Sequence, residues 1–463
     1  MTQHRSDAAA LAEIEARARR CESEQRLQDA ARAYDDALRL CPSAQSSAEG
    51  RARIAIQLRE AGAVEHCARA LAFHDQDPSL QFQMIFVAAS ELGNEAIPLL
   101  ERFLKSRPGH VAAHELLAEL RAQAGAGDRF TDDYLSALEH VEDNKALLFS
   151  YWNVLSRSGR HLRALDSMED NRALFAGERR FALLEISIAG HAGLTERVGQ
   201  LLDELPGGPD LQLARAQHKL QTGHADEAAK LLEAIVAREP TNLTAWALLE
   251  PSWRLLEDQR HDWLACQPGL YGSSELDLSS AELASLADVL RNLHRARAQP
   301  IGQSVRGGTQ TSGNLFMREE AELQRLTQAL ARGIRRFVGG LPPADPTHPL
   351  LRHRNSALTF GSSWSVRLTG GGYHAAHFHP GGVLSSACYI SLPDRLDENG
   401  SKEGWLEIGR PPEELKLDLP PLASFEPAPG RLVLFPSYLF HGTRPFRDGE
   451  RLTVAFDVAV GTG

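Results

Sequence analysis

Cysteine is scarce: Cys21, Cys41, Cys67, Cys266 and Cys388 stand far apart, and no two form a C-x-x-C pair. That spacing reads as reduced, mostly buried thiols of a cytoplasmic protein, not as a disulfide frame or a zinc site. Long apolar runs are missing too. Nothing approaches the ~20 residues that span a bilayer. The opening MTQHRSDAAALAEIEARARR is charged and helix-like, with no apolar signal core. No membrane partner is expected, and the location expected is the cytoplasm. Excess positive charge is also lacking. Lys and Arg number 50 against 61 Asp and Glu, for a net charge of −11. Nucleic acid is therefore not an expected partner. The rest is ordinary globular composition, 43% hydrophobic and 24% charged over 463 residues. That length exceeds a single ordinary core, so two or three domains are expected.

From about Ala8 to Gln267 the chain is rich in Ala, Leu, Glu and Arg, with apolar residues at helical spacing. DAARAYDDALRLCP, residues 29–42, sets Ala30, Tyr34, Ala37 and Pro42 in a frame. Ala96, Leu100, Phe103 and Pro108 repeat it, as do Ala228, Leu232, Ile235 and Pro240. Pro78 and Pro206 are read as further helix stops. The proline gaps are 36, 30, 98 and 34 residues, the long one close to three more units. A small residue lets paired helices approach, a larger one fills the groove to the next pair, and proline ends the unit. A two-helix period near 34 residues resembles the tetratricopeptide repeat family, over about seven units. The family's first-helix Trp is missing in the aligned units. The resemblance implies an all-α solenoid whose groove takes a protein or peptide partner, or repeats that only assemble the chain into a homo-oligomer. Trp246, Trp253 and Trp263 are expected to pack a capping helix or a domain interface. Residues 266–274 read as the linker, which gives domains of 1–267 and 274–463.

Beyond residue 274 the pattern changes. Two helical stretches, SSAELASLADVLRNLHRAR and MREEAELQRLTQALARGIRRFVGGL, flank the Gly/Thr-rich GGTQTSGNLF. Short alternating runs follow: SSWSVRL, VLSSACYISL, GWLEIG, RLVLFPS and RLTVAFDVAV. They predict strands of a small antiparallel double sheet, an α+β domain. HAAHFHP holds His374, His377 and His379. Residues two apart on an extended chain project alike, so His377 and His379 share a face. His441 follows at the end of another strand. Three imidazoles suit iron, copper, nickel or zinc, so ligand type alone does not choose the metal. Arg451 opens the last strand, where Thr453, Ala455 and Asp457 share its face. A guanidinium there can grip a carboxylate through two parallel hydrogen bonds.

At this point the sequence resembles the Fe(II)- and 2-oxoglutarate-dependent oxygenases, over about residues 302–460. It is most similar to a bacterial group joined to tetratricopeptide repeats. The ordered set that carries the likeness is Trp364-Ser365-Val366, His377 to Pro380, Ser386 to Tyr389, Gly430 to Ser437, then His441, Arg451 and Phe456. The resemblance implies a double-stranded β-helix (jelly-roll) domain with supporting helices. It implies Fe(II) as cofactor, 2-oxoglutarate as cosubstrate and O2 as oxidant, and hydroxylation of a substrate. His377 and His441 become metal ligands, and Arg451 takes the distal carboxylate of 2-oxoglutarate, with Tyr389 and Thr453 beside it.

The chain departs from the superfamily at residue 379, where an acidic ligand is usual. His379 either ligates, giving a three-histidine site, or stands aside for water. A neutral ligand leaves the site more positive and favours the anionic cosubstrate. Its bulk argues against halide in that position. Trp364, Arg367 and Trp405 are assigned to the substrate mouth, and Gln310, Thr311 and Asn314 are further polar candidates. His374 is expected to face solvent, the other reading being that it orients a ligand or the substrate. The expected activity is a dioxygenase that hydroxylates a protein or peptide recruited by the repeats. The alternatives are a small-molecule hydroxylase with repeats used for assembly, a non-catalytic repeat scaffold, and a three-histidine dioxygenase without 2-oxoglutarate.

Overall fold

Among the described residues, fifteen α-helices, from Thr2–Ser23 to Leu243–Leu255, occupy the first half of the chain. That is the number seven helix pairs and a capping helix require. The computed structural model describes residues 2–394, 396 and 400–461, without the side chains of residues 2–6. Each repeat frame lands on a helix as spaced. Ala30, Tyr34 and Ala37 are buried on Leu27–Leu40, Leu100 and Phe103 on Ile97–Ser106, and Ala228, Leu232 and Ile235 on Ala225–Arg238. Pro42, Pro108, Pro206 and Pro240 each follow a helix end. Pro78 does the reverse of what the sequence suggested. It opens the helix Pro78–Leu92, with the Asp77 carboxylate accepting from the Leu80 N–H at 3.0 Å. Proline tolerates the first turn because its missing N–H has no helical partner there.

The chain divides into two compact units, Met1–Tyr151 and Trp152–Gly463. The first is helical throughout, with an alanine-rich core around Ala52, Ala55, Ala88, Leu100 and Phe103. The second holds the remaining helices and all the strands. One apolar core runs through it from Leu232, Trp246 and Trp253 to Leu326, Leu434 and Phe456. The 267/274 boundary read from sequence falls inside this unit. The expected linker is instead structured, because Gly272–Glu275 is a strand that pairs with residues 431–434. The tryptophans pack as anticipated. Trp246 lies 6.3 Å from Trp253 and 6.0 Å from Trp263, centroid to centroid.

Nine strands are described: β1 (Gly272–Glu275), β2 (Val305–Gln310), β3 (Leu358–His374), β4 (Leu384–Ser391), β5 (Leu406–Ile408), β6 (Ala423–Phe425), β7 (Arg431–Pro436), β8 (His441–Thr443) and β9 (Glu450–Val460). They form a six-stranded sheet, β1-β7-β4-β9-β3-β2, and a three-stranded sheet, β6-β5-β8, antiparallel at every described pairing. This is the antiparallel double sheet expected of the second half. Helices Ser280–Leu293 and Ala321–Gly339 support it. The first begins at a capping box, in which Ser279 and Glu282 satisfy each other's backbone N–H. Alternation on β9 sorts its side chains. Leu452, Val454, Phe456 and Val458 join the apolar core. Arg451, Thr453 and Asp457 therefore project from the opposite face. Among the described residues no helix is long and apolar enough to cross a membrane.

Candidate metal centre

Backbone pairing brings the histidines together. The His377 N–H donates to the His441 carbonyl at 3.0 Å, and the His441 N–H returns a bond of 2.8 Å to the His377 carbonyl. The His379 N–H donates to Ser437 O at 2.9 Å. The H-x-H turn is thus stitched to the segment that carries the third histidine. Ring centroids are 4.2 Å apart for His377 and His441, and 5.0 Å for each of these with His379. One nitrogen from each of the three lies within 4.8 Å of the other two.

The outer nitrogens are all engaged. His377 Nδ1 lies 2.9 Å from Ala375 O, and His441 Nδ1 lies 3.1 Å from Leu439 O. His379 Nδ1 meets the Asp457 carboxylate at 2.5 Å, and Asp457 also accepts from Ser385 Oγ at 2.9 Å. A carbonyl or carboxylate accepts only from N–H, so each Nδ1 carries a proton, and in a neutral ring that leaves the Nε2 lone pair free. The Nε2 atoms of His377 and His379 stand 3.0 Å apart. Two nitrogens on adjacent positions of one ion, with bonds of about 2.1 Å, would be separated by roughly that distance. Burial, with His379 nearby, pushes the His377 pKa down to about 3. Burial and the neighbouring rings hold His441 well below the ordinary histidine value. Both are neutral at neutral pH, the form in which an imidazole can take a metal.

Arg451 is buried, and its Nη1 donates to Gly404 O at 2.9 Å. Its guanidinium stands 5.1 Å from the Tyr389 ring centre. Tyr389 is buried on β4, in register with Thr453. Arg451 Nε, the Tyr389 hydroxyl and Trp405 Nε1 are buried and have no hydrogen-bond partner among the described residues. Orphaned buried donors are rare and demand an explanation. Two of them, on Arg451 and Tyr389, stand together where the sequence expects a carboxylate. The donors are right for that group, and the imidazole set is right for a metal. Thr453 Oγ1 has only a 3.5 Å contact with Val366 O. Trp364 is half-buried, its ring 5.8 Å from that of His379.

Other expectations need correction. Arg367 does not line the mouth. Trp364, Val366 and Leu368 pair with Ala455, Thr453 and Arg451 on one face, so Arg367 falls on the other. There it joins Glu450, which also takes Arg291 Nε at 2.7 Å. His374 is half-buried instead of facing solvent. It stacks 6.3 Å from His377, with Nδ1 3.1 Å from Ser304 Oγ. Burial and the Arg451 charge hold its pKa well below the ordinary value. Thr311 and Asn314 serve the backbone: Thr311 Oγ1 accepts from the Ser365 N–H at 2.9 Å, and Asn314 Oδ1 from the Phe316 N–H at 3.2 Å. Sequence reasoning gave Asp457 no role, although its place on the Arg451 face was the available signal.

Residues 362–457 match the family model described as "Putative 2OG-Fe(II) oxygenase", and residues 196–250 match a tetratricopeptide repeat model. No curated protein matches the chain. Among solved structures, a prolyl-4-hydroxylase from Pseudomonas putida is 16% identical, with a TM-score of 0.29 over 42% of this chain and 94% of that one. HygX from Streptomyces hygroscopicus, with nickel and 2-oxoglutarate bound, is 14% identical, with a TM-score of 0.28 over 42% and 84%. A tetratricopeptide repeat protein from Parabacteroides merdae is 15% identical, with a TM-score of 0.30 over 53% and 99%. By the family matches, the chain is similar to tetratricopeptide repeats over residues 196–250 and to the 2OG-Fe(II) oxygenase family over residues 362–457.

Proposed function

We propose that the chain is an Fe(II)- and 2-oxoglutarate-dependent dioxygenase that hydroxylates a protein or peptide recruited by its helical repeats. One observation carries this reading. Three imidazoles bring one nitrogen each within 4.8 Å of the others, every Nδ1 being held by an oxygen acceptor, and the same domain holds a buried arginine and tyrosine with unspent donors. His377, His379 and His441 would hold the metal. Fe(II) there would supply dioxygen activation coupled to decarboxylation of 2-oxoglutarate. The chain's own residues do the rest. Ala375 O, Leu439 O and Asp457 fix the imidazole tautomers and ring orientations. Arg451 takes the distal carboxylate of 2-oxoglutarate, with the Tyr389 hydroxyl and Thr453 beside it. Trp364 and Trp405 wall the substrate side and exclude water.

The test is succinate formation from 2-oxoglutarate in air with added Fe(II), which an unprimed oxygenase performs slowly without its substrate. His441→Ala is expected to abolish it, and unchanged succinate in that variant overturns the reading. Arg451→Ala is expected to raise the 2-oxoglutarate requirement at least tenfold, on the order of 1.4 kcal/mol.

A further inference from the structure

Away from the barrel, a second cluster gathers where the last repeat helix meets the chain entering β1. His261, Asp262 and Cys266 bring one ligand atom each within 4.8 Å of the others. A single π turn, Asp262–Cys266, makes this possible. Its hydrogen bonds span five residues instead of four, which brings His261 to Cys266, and such turns often mark functional sites. His261 Nδ1 lies 3.7 Å from Cys266 Sγ. Nitrogen and sulfur bound tetrahedrally to one zinc ion, at about 2.0 Å and 2.3 Å, would be separated by about 3.5 Å.

The second observation is Glu250. Its side chain, on the helix Leu243–Leu255, is only 1% exposed. Oε1 meets His261 Nε2 at 2.9 Å, while Oε2 is buried with no partner among the described residues. A buried carboxylate with an unpartnered oxygen is costly. Positive charge on the far side of that imidazole relieves it, and a carboxylate behind a ligating histidine is the usual support for a metal site. Arg254 does not fill the role. It acts on Cys266 only at a distance, its Nη1 and Nη2 donating to Gly409 O and Pro420 O. Cys266 is exposed.

We propose that His261 Nδ1, the Asp262 carboxylate and Cys266 Sγ bind a borderline-soft divalent cation of the zinc class, with Glu250 positioning His261. Binding releases the Cys266 thiol proton to solvent. A thiolate and a carboxylate neutralise the cation, and the fourth position is left to water. The ion ties the turn before β1 to the helix that carries Glu250, and nothing in it depends on the barrel chemistry.

Cobalt(II) added to the full-length protein tests this directly. The barrel cluster contains no sulfur, so a thiolate-to-cobalt absorption band reports this site alone. The band is expected in the wild type and in His377→Ala, and its loss is expected in Cys266→Ser, an exposed position that leaves packing intact. Zn2+ should bleach the band and protect Cys266 from alkylation, read by peptide mass mapping. Glu250→Gln should weaken Co2+ binding at least tenfold. No band at saturating Co2+, or a band that survives Cys266→Ser, overturns the site. Unchanged affinity in Glu250→Gln overturns the positioning role.

Discussion

Asp457 sits behind His379, and its carboxylate fixes which nitrogen of that ring faces the cluster. A neutral amide there would still fill the space but would weaken the basicity of the ring. Asp457→Asn is expected to reduce Fe(II) affinity by roughly 10- to 100-fold. An anaerobic Fe(II) titration reads this, and affinity equal to wild type refutes the support role. The 2-oxoglutarate requirement at saturating metal should stay near wild type, opposite to Arg451→Ala. The histidines and Arg451 were legible because their chemistry survives in order and spacing alone. Asp457 was not, because its partner lies 78 residues away, across the sheet from the H-x-H turn. Arg367 shows the matching error. Trp364 and Arg367 are an odd number of residues apart, so one strand cannot aim both into one cavity. Parity alone could have set Arg367 aside, whereas the Glu450 carboxylate that holds it could only come from the structure.

At the scale of the element, the repeat frame was legible because each of its positions is a packing rule. Its consequence on the neighbouring helix was not. Tyr34 projects from its own helix onto Gly50 of the helix Gln45–Leu58. A Cβ on Gly50 would come to 2.8 Å of ring carbon Cε2, and nearer still to Cζ. The ring is buried, and its hydroxyl donates to Glu22 at 3.0 Å, so it has little room to give. Helix propensity alone predicts that Gly50→Ala gains up to about 1 kcal/mol. The overlap predicts the opposite, a loss of about 1–3 kcal/mol. Urea unfolding followed by circular dichroism decides between them, and a stabilised variant would mean that Tyr34 can move aside. β1, β6 and β8 escaped the sequence for a different reason. They are three or four residues long and define themselves only by their partners.

The whole molecule was read correctly in order, helices first and sheets second, while its compact units divide between residues 151 and 152. A cut near residue 265 looked natural in the sequence because composition changes there. It would pass through a core, since Trp246, Trp253 and Leu264 pack in one cluster with Leu434 and Tyr438. His348 stands at that junction. Its Nε2 donates to Leu264 O at 3.2 Å, the carbonyl that also accepts from the Tyr438 hydroxyl at 2.6 Å. Its Nδ1 accepts from the Leu350 and Leu351 N–H groups, each at 3.1 Å. Trp263 packs against its edge at 4.9 Å. Both ring nitrogens are spent in the neutral form, so a second proton would displace the two backbone donors. Burial accordingly lowers its pKa to about 4. The unfolded chain takes that proton near pH 6.5 and the folded chain only near 4. The contribution to stability is therefore complete above pH 6.5, falls as the pH drops from there towards 4, and is gone below it. The difference amounts to about 3 kcal/mol for this one side chain. Asp345 does not confuse the window, because its pKa is held down to about 2 by hydrogen bonds from Thr347 and Trp263. His348→Gln is expected to be less stable than wild type at pH 7.5 and to lose that disadvantage progressively by pH 4.5. Urea midpoints at pH 7.5, 6, 5 and 4.5 measure the gap between the two proteins. A gap that stays constant across the series would mean that His348 accepts its proton without loosening the junction.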